Sequence, residues 1–485
     1  MLFNSLSYAI FLPVVFALFW LSPQKYRVWI LLLASYVFYM SWRPIFILLI
    51  LGLTVANYLL GSLIDQARTN TNKKIWLALA CCLNLLTLAY FKYAYFLNDA
   101  LNSLIARWGM APHPMPFDIV LPLGISFFVF EFIHYVVDIY RGHKPIKSFA
   151  AFALFASFFP TQIAGPIKRF QDFIPQFLDE PKLTTAKFDW AVSMILIGLA
   201  KKVLIADNLA FFAQGGFSNP QLFSGLDLWI FAYAFAFQIY FDFSGYTDIA
   251  RGSAMLFGYK VPVNFNLPYL AGSVAEFWHR WHISLSTWLR DYLFIPLGGS
   301  RGGKIANLRN LIITMTLGGL WHGAAMHFLV WGFYHGVLLA LHKVFQGIKG
   351  RSSFLARAID SRPGHLASLL LTFHAVVIGW VFFRAETNST AITMLKRMLT
   401  LSPTLDGHHV VSMLLPTINY PLIYPTIFLI LPLLAIAHPL VAMIDKTGLI
   451  ARTPRTIKIL WCTAMIFAVV VFSPDKSPRF IYFQF

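Results

Sequence analysis

Residues 45–64 read IFILLILGLTVANYLLGSLI, twenty positions without a single charge. At about 1.5 Å of rise per residue, twenty helical residues cover the ~30 Å hydrocarbon core of a bilayer. Inside hydrocarbon a segment must bond its own backbone, and among single segments only a helix does so. This stretch therefore predicts a membrane-spanning helix, and it has many companions. Comparable runs occupy residues 6–21, 26–41, 75–97, 119–140, 190–212, 226–257, 311–320 with 328–341, 366–383, 422–443 and 457–472. Residues 149–163 and 274–297 are apolar but interrupted by polar, Gly or Pro positions. They read as re-entrant or interfacial segments, whose irregular backbone survives only under protein or beside a water-filled cavity. The fold class expected is an all-α integral membrane protein, a polytopic helical bundle with about 10–12 crossings by the ~20-residue criterion.

Composition agrees. Of 485 residues, 58% are hydrophobic, 17% aromatic and 12% charged. Soluble proteins run at roughly 45–50% apolar and about 25% charged. A chain with half that charge cannot cover a water-facing surface, which excludes a soluble multi-domain enzyme, a disordered protein and a secreted disulfide scaffold. Residues 1–485 read as one membrane domain, without repeats, low-complexity tracts or an appended soluble module. Cys81, Cys82 and Cys462 all fall in apolar runs and read as inert packing residues. The first run has no Lys or Arg before it and no small-x-small cleavage pattern after it, so it reads as a retained first span.

The chain carries 38 Lys and Arg against 20 Asp and Glu, a net charge of +18. The basic residues sit between apolar runs, where the positive-inside rule puts them, with membrane lipid as the partner rather than nucleic acid. Lys25 and Arg27, then Arg68, Lys73 and Lys74, then Arg141, Lys144 and Lys147 mark alternate early loops as cytoplasmic. An N-terminus outside the cell satisfies that alternation. Later basic loops at residues 290–309, 343–362 and 446–458 stay cytoplasmic if even numbers of crossings separate them.

Chemistry concentrates in two stretches. From Tyr240 to Gly303 runs YFDFSGYTDIARGSAMLFGYKVPVNFNLPYLAGSVAEFWHRWHISLSTWLRDYLFIPLGGSRGG. His279 and His282 lie three apart, so on one helix about 60° separates them and they can face the same cavity. Trp278, Trp281 and Trp288 surround them, with Arg280, Arg290 and Asp291 close by. The same residue types would also suit an interfacial amphipathic helix with snorkelling arginines and a tryptophan belt. From Leu317 to Gly336 runs LGGLWHGAAMHFLVWGFYHG. His322, between Trp321 and Gly323, is an ionisable residue at membrane depth, which makes it a functional candidate; a core histidine bonded to a carbonyl is the plainer reading. His335 and His342 share a helix face and suit lining or packing. His322 and His327 are five apart, about 140° around a helix, and form no local metal pair. No HEXXH or cysteine ligand set exists, so no metal is expected. A third stripe, Glu131, His134 and Asp138 at i, i+3 and i+7, fits a buried hydrogen-bonded network or, in a proton-coupled transporter, a proton relay.

The pieces PTQIAGPIKRF, YFDFSGYTDIA, NFNLPYLAGSVAEFW, RWHISLSTWLRDYLFIPLGG, GLWHGA, GWVFFRAET and the terminal FIYFQF follow one another from Pro160 to the end of the chain, with LLLASYVFYMSWRP upstream. Together they resemble the membrane-bound O-acyltransferase (MBOAT) family, in the branch of the bacterial alginate O-acetyltransferase membrane subunits. The run from Phe277 to Gly299 is the most specific, and the core motifs fall within residues 160–336. The resemblance implies a ring-like enzyme with a funnel on each face, His322 as the catalytic histidine at the constriction, and His282 as the first motif histidine on a long, partly buried helix. Trp281, Trp321, His279, Arg290, Asp291 and Asp242 become candidates for lining the funnel and contacting substrate. Position 279 is His where this branch usually has Arg, and Met326 and His327 replace an aromatic and a small polar residue.

What the resemblance implies about activity is transfer of acetyl from a cytoplasmic thioester, acetyl-CoA, with no tightly bound cofactor. His322 would act as general base or transient nucleophile and His282 would orient the carbonyl or His322. The final acceptor would be a cell-surface polysaccharide (alginate, another exopolysaccharide or peptidoglycan), reached directly or through a serine of a periplasmic SGNH-like acetyltransferase partner. The setting would be the bacterial inner membrane. The competing readings are D-alanyl transfer to teichoic acid and the transporter built on Glu131, His134 and Asp138.

The charge alternation makes a direct prediction. Single cysteines placed in residues 343–362, in a background lacking Cys81, Cys82 and Cys462, are expected to resist an impermeant thiol reagent in intact cells. Labelling from outside would overturn the orientation.

Overall fold

A computed structural model of the chain describes residues 1–400 apart from 116–117, 164 and 178, and then 433–434, 436–437, 453–473, 478 and 480–481. The described residues form helices and connections, without strands. Five helices are long and apolar enough to cross a membrane: Pro44–Gln66, Asn70–Ala106, Gly225–Leu256, Met326–Lys349 and Arg362–Arg384. Leu6–Leu21 and Arg455–Val471 are shorter apolar helices. The expected run at 422–443 lies outside the described residues.

The helix Ile47–Gln66 shows why such a sequence folds this way. Its buried positions, Ile50, Leu53, Thr54, Asn57, Gly61 and Ile64, recur at helical spacing along one face. The opposite face exposes Leu48, Val55, Leu59 and Leu63, which is costly in water and neutral in lipid. The polar groups on the buried face are satisfied locally. Thr54 Oγ1 donates to the Ile50 carbonyl at 2.6 Å, and Asn57 exchanges hydrogen bonds of 3.2 and 2.7 Å with Asn84 of the Asn70–Leu88 helix. Cys82, expected to pack inside, is exposed on that helix, while Cys81 and Cys462 are half-buried; on a spanning helix the outward face also meets apolar surroundings, so an apolar run does not determine which way a thiol points.

The chain divides into two compact units, residues 1–195 with 246–262, and residues 196–245 with 263–485. In the first, the helix Ile125–Tyr140 is buried nearly end to end. Glu131 accepts from the buried Lys168 ammonium at 2.7 Å, and Lys168 also reaches Thr161 Oγ1 at 2.8 Å. Asp138 accepts from Gln171 Nε2 at 2.6 Å and lies 3.4 Å from Arg141. His134 stacks against Phe170, ring centroids 6.3 Å apart. The stripe thus ties its helix to the segment around Lys168–Gln171, the hydrogen-bonded network of the two sequence readings. The stretch 149–163, expected as re-entrant or interfacial, forms a helix Phe149–Ser157 of nine residues, too short to cross, followed by turns at Pro160–Ile163.

In the second unit the apolar stretches at 311–320 and 328–341 are arms of two longer helices, Gly303–His322 and Met326–Lys349, joined by residues 323–325. Gly319 faces Phe328 and Gly332, Gly332 faces Met315, and Gly336 faces Ile312, so the arms run antiparallel. A Cβ on Gly319 would sit 2.3 Å from the Phe328 carbonyl oxygen, and one on Gly332 would sit 2.3 Å from that of Met315. Backbones this close require glycine. The hairpin returns the chain to the side it left, which agrees with basic loops on one face at both its ends.

Glu131→Gln is expected to lower stability by about 3–5 kcal/mol, the cost of stranding a buried partner charge. Asp138→Asn keeps an acceptor for Gln171 and should cost less, while Glu131→Leu combined with Lys168→Met should recover much of the loss. Thermal unfolding of the detergent-purified variants measures all three.

Candidate functional site

The histidine-bearing part of the second unit is built on a broken helix. Ser273 caps Val274–Arg280, its hydroxyl accepting from Glu276 N at 3.2 Å, and the Glu276 carboxylate accepts from Gly272 N at 2.8 Å, closely related to a capping box. Glu276 also pairs with Arg280 four residues on, at 2.7 Å. Partial burial alone would raise the Glu276 carboxyl, but the Gly272 N–H and the Arg280 guanidinium outweigh it and hold the group below its ordinary range.

The helix then stops. Trp281 is extended, His282 takes φ 42° and ψ 54°, and a second helix starts at Ile283. A left-handed backbone at a residue other than glycine costs roughly 1–3 kcal/mol and persists only where its surroundings impose it. Here an upstream segment does so. Asn264 Oδ1 accepts from Ser284 N and Ser284 Oγ at 3.1 and 2.7 Å, Ile283 N donates to the Asn264 carbonyl at 3.0 Å, and Asn266 N donates to the Arg280 carbonyl at 2.9 Å. Backbone groups released by the break are thereby satisfied on both sides of His282.

This corrects the expectation that His279 and His282 share one helix and one cavity. His279 is exposed and its Nδ1 lies 2.6 Å from the Ala275 carbonyl, whereas His282 is fully buried. The ring of Phe243 stands edge-on to His282 at 4.7 Å, and Trp321 lies 6.3 Å away. His322 ends the Gly303–His322 helix and is 5% exposed. Trp321, Trp331 and Phe383 enclose its ring at 5.0, 5.1 and 5.3 Å. The structure therefore places both His282 and His322 beside one indole, Trp321. Trp281 is buried in the adjoining aromatic layer, 4.8 Å from Trp380. Arg290 and Asp291 pair with each other at 2.7 Å, with Arg290 exposed. His322 and His327 do not share a helix at all, because the connection at 323–325 separates them.

Asp242 has a different setting from the one expected. It sits 2.9 Å from the buried Lys202 ammonium, which also donates to Asp207 at 2.6 Å and to the Pro478 carbonyl at 3.3 Å. The second Asp242 oxygen accepts from Ile481 N at 2.8 Å. Phe480 and Ile481 are thus held beside Phe243, whose ring is 6.0 Å from Phe480 and 4.7 Å from His282. Asp242 holds the site's support rather than lining it. Sequence reasoning also passed over Phe243, Trp331, Trp380 and Phe383 as neighbours of the histidines. Their signal was present in YFDFSGYTDIA and GWVFFRAET, which are dense in aromatics.

Two buried imidazoles in an aromatic shell can accept and return a proton without placing a permanent charge in a water-poor interior. That suits attack of a hydroxyl on an acyl carbon.

The latch can be tested. Asp242→Asn keeps an acceptor for Ile481 N, whereas Asp242→Ala removes it. The alanine variant should be less stable than the asparagine variant by about 1–3 kcal/mol, the cost of an unmet buried donor, as read by thermal unfolding in detergent.

Comparison with known proteins follows the same lines. Residues 31–360 match the membrane-bound O-acyltransferase family. The chain is similar to a Pseudomonas aeruginosa protein described as "Probable alginate O-acetylase AlgI", with 45% identity over 395 residues, 81% of this chain and 73% of the relative. It is also similar to a peptidoglycan O-acetyltransferase of Helicobacter pylori, 36% identical over 81% of this chain and 78% of the relative. A teichoic acid D-alanyltransferase of Bacillus subtilis is 30% identical over 57% of this chain and 71% of its own length. The chain, a multi-pass membrane protein with two buried motif histidines, belongs to the membrane-bound O-acyltransferase family and is an acyltransferase.

Proposed function

We propose that this chain is a bacterial inner-membrane O-acetyltransferase that takes acetyl from acetyl-CoA on the cytoplasmic side and delivers it outward for O-acetylation of a cell-surface polysaccharide. The observation that carries the reading is the placement of His282 and His322 against the single indole of Trp321, both buried. Similarity over 81% of the chain to proteins named for alginate and for peptidoglycan O-acetylation supports acetyl as the group moved and a polysaccharide as its destination. D-alanyl transfer has a narrower base, since the relative so named matches 57% of the chain.

In this reading His322, as the neutral imidazole, takes the proton of the acceptor hydroxyl while the oxygen attacks the thioester carbonyl carbon. The carbon–sulfur bond then breaks, and His322 returns the proton to the departing thiolate. His282 orients the carbonyl or the His322 ring across Trp321. The acceptor is a sugar hydroxyl, or a serine of a periplasmic SGNH-like partner that completes the transfer. The aromatic walls exclude water, which would otherwise compete for the acetyl group.

His322→Ala should reduce acetyl transfer by about 10²–10⁴ while leaving membrane insertion intact, the usual cost of losing a general base. His282→Ala should lose as much or less, because an orienting role leaves base catalysis in place. His279→Arg should be tolerated, since His279 is exposed on the far side of the helix break. Transfer from labelled acetyl-CoA in membranes with matched protein levels reads all three. Wild-type transfer by His322→Ala would overturn the mechanism.

A further inference from the structure

The first unit contains a cavity of about 450 Å³ lined by Ala186, Lys187, Trp190, Arg251, Met255, Lys260 and Val261. Ligand pockets of proteins typically hold about 300–1,000 Å³. Three of its seven lining side chains are cations, and none is an acid.

The chain builds this arrangement deliberately. Thr185–Ala200 begins at the cavity, with Lys187 in its first turn and no acidic residue there. A helix start carries partial positive charge, so a lysine there is misplaced unless something negative joins it. Opposite, Gly258 takes φ 86° just past the end of Gly225–Leu256, and its N–H bonds the Met255 carbonyl. That turn brings Lys260 back to the cavity, where Gln176 clamps its backbone from both sides: Gln176 Oε1 accepts from Lys260 N at 2.7 Å and Gln176 Nε2 donates to Lys260 O at 3.1 Å. Arg251 lies over the Trp190 ring at 5.4 Å. Arg251 Nη1 makes a long ion pair with Asp248 at 3.8 Å, and its buried Nε finds no partner among the described residues. Lys187 Nζ donates to the Lys182 carbonyl at 2.9 Å. Three like charges and a helix start therefore converge on one space, an arrangement that a bound anion would stabilise.

We propose that this cavity binds a phosphate-bearing ligand, with Lys187, Arg251 and Lys260 on the phosphate oxygens and Trp190, Met255 and Val261 against the apolar or ring-bearing part. Trp20, near the end of the Leu6–Leu21 helix, donates to the Leu256 carbonyl at 3.0 Å, and the basic loop at Lys25 and Arg27 follows directly. By the positive-inside orientation the cavity opens toward the cytoplasm. Two ligands present this chemistry there: the nucleotide end of coenzyme A, which rests on the donor proposed above, and the headgroup of an anionic phospholipid.

The full chain in nanodiscs separates the two. In phosphatidylcholine discs, coenzyme A binding is measured by calorimetry for wild type, Lys260→Gln and Lys260→Arg. A second series measures the rise in unfolding temperature on replacing part of the phosphatidylcholine with phosphatidylglycerol. Loss of one charged hydrogen bond weakens binding by about tenfold or more. A drop of that size in coenzyme A affinity for Lys260→Gln, restored by Lys260→Arg, supports the nucleotide as the ligand. Unchanged coenzyme A binding with loss of the phosphatidylglycerol effect in Lys260→Gln supports the headgroup. If neither response depends on Lys260, the proposal is overturned. Acetyl transfer is not the readout, so an error in the proposed reaction and an error in this site give different results.

Discussion

Hydrocarbon offers a backbone N–H nothing to bond, so a break in a helix at membrane depth survives only where other protein groups replace the lost partners. The break at Trp281–His282 is met by the Asn264–Asn266 segment, through its backbone at Ile283 N and the Arg280 carbonyl and through the Asn264 carboxamide, whose oxygen takes both the N–H and the hydroxyl of Ser284. Without that segment the strained His282 backbone would lose the partners that hold it out of regular helix. Straightening the chain would carry the imidazole away from Phe243 and Trp321. The position of the buried histidine is therefore set by hydrogen bonds to Asn264 and Asn266 upstream, and the aromatic shell then fills around it.

That shell is continuous. Trp281 packs on Trp380, Trp380 on Trp331, and Trp331 on His322, with Phe383 closing the side. Each indole donor that would be costly to bury needs a partner, and Trp380 finds one in the Tyr269 hydroxyl at 3.2 Å, which in turn donates to the Ala236 carbonyl. The close glycine contact between Gly303–His322 and Met326–Lys349 places Trp331 against His322. A side chain at Gly323 would collide with the Phe328 ring, so the histidine's own neighbour is constrained as well.

How much of this was legible depended on the distance over which each interaction acts. The 45–64 run could be read directly, because lipid exposure and local back-bonding by Thr54 need only the helix itself. His322 and His282 were legible as types and as motif positions. Their joint contact with Trp321 was half legible, since Trp321 adjoins one of them. The broken helix was not, because three-residue spacing between His279 and His282 argues for one helix and the signal against it lies at Asn264. Asp242 was misread for the same reason: its partners, Lys202 and Ile481, are 40 and 239 positions away. That 149–163 does not cross as one helix was legible from its length and its interruptions.

Both units hold their buried ammonium groups by the same means, and the buried histidines of the second unit stand in chemical contrast to it. Buried Lys168 is matched by Glu131, and buried Lys202 by Asp207 and Asp242, so each ammonium has a fixed counter-charge. Such pairs are structurally firm but chemically locked, because moving a proton from one partner strands the other. A reacting group in the same surroundings must be able to exist uncharged, accept a proton briefly and give it up again. Among the common side chains only imidazole does this near neutral pH while tolerating an apolar cage. An Asp at position 322 would require a permanent counter-charge, and a Lys would require the same or lose its proton. The rings of Trp321, Trp331 and Phe383, at 5.0, 5.1 and 5.3 Å, are apolar neighbours that suit a neutral imidazole better than a permanent charge.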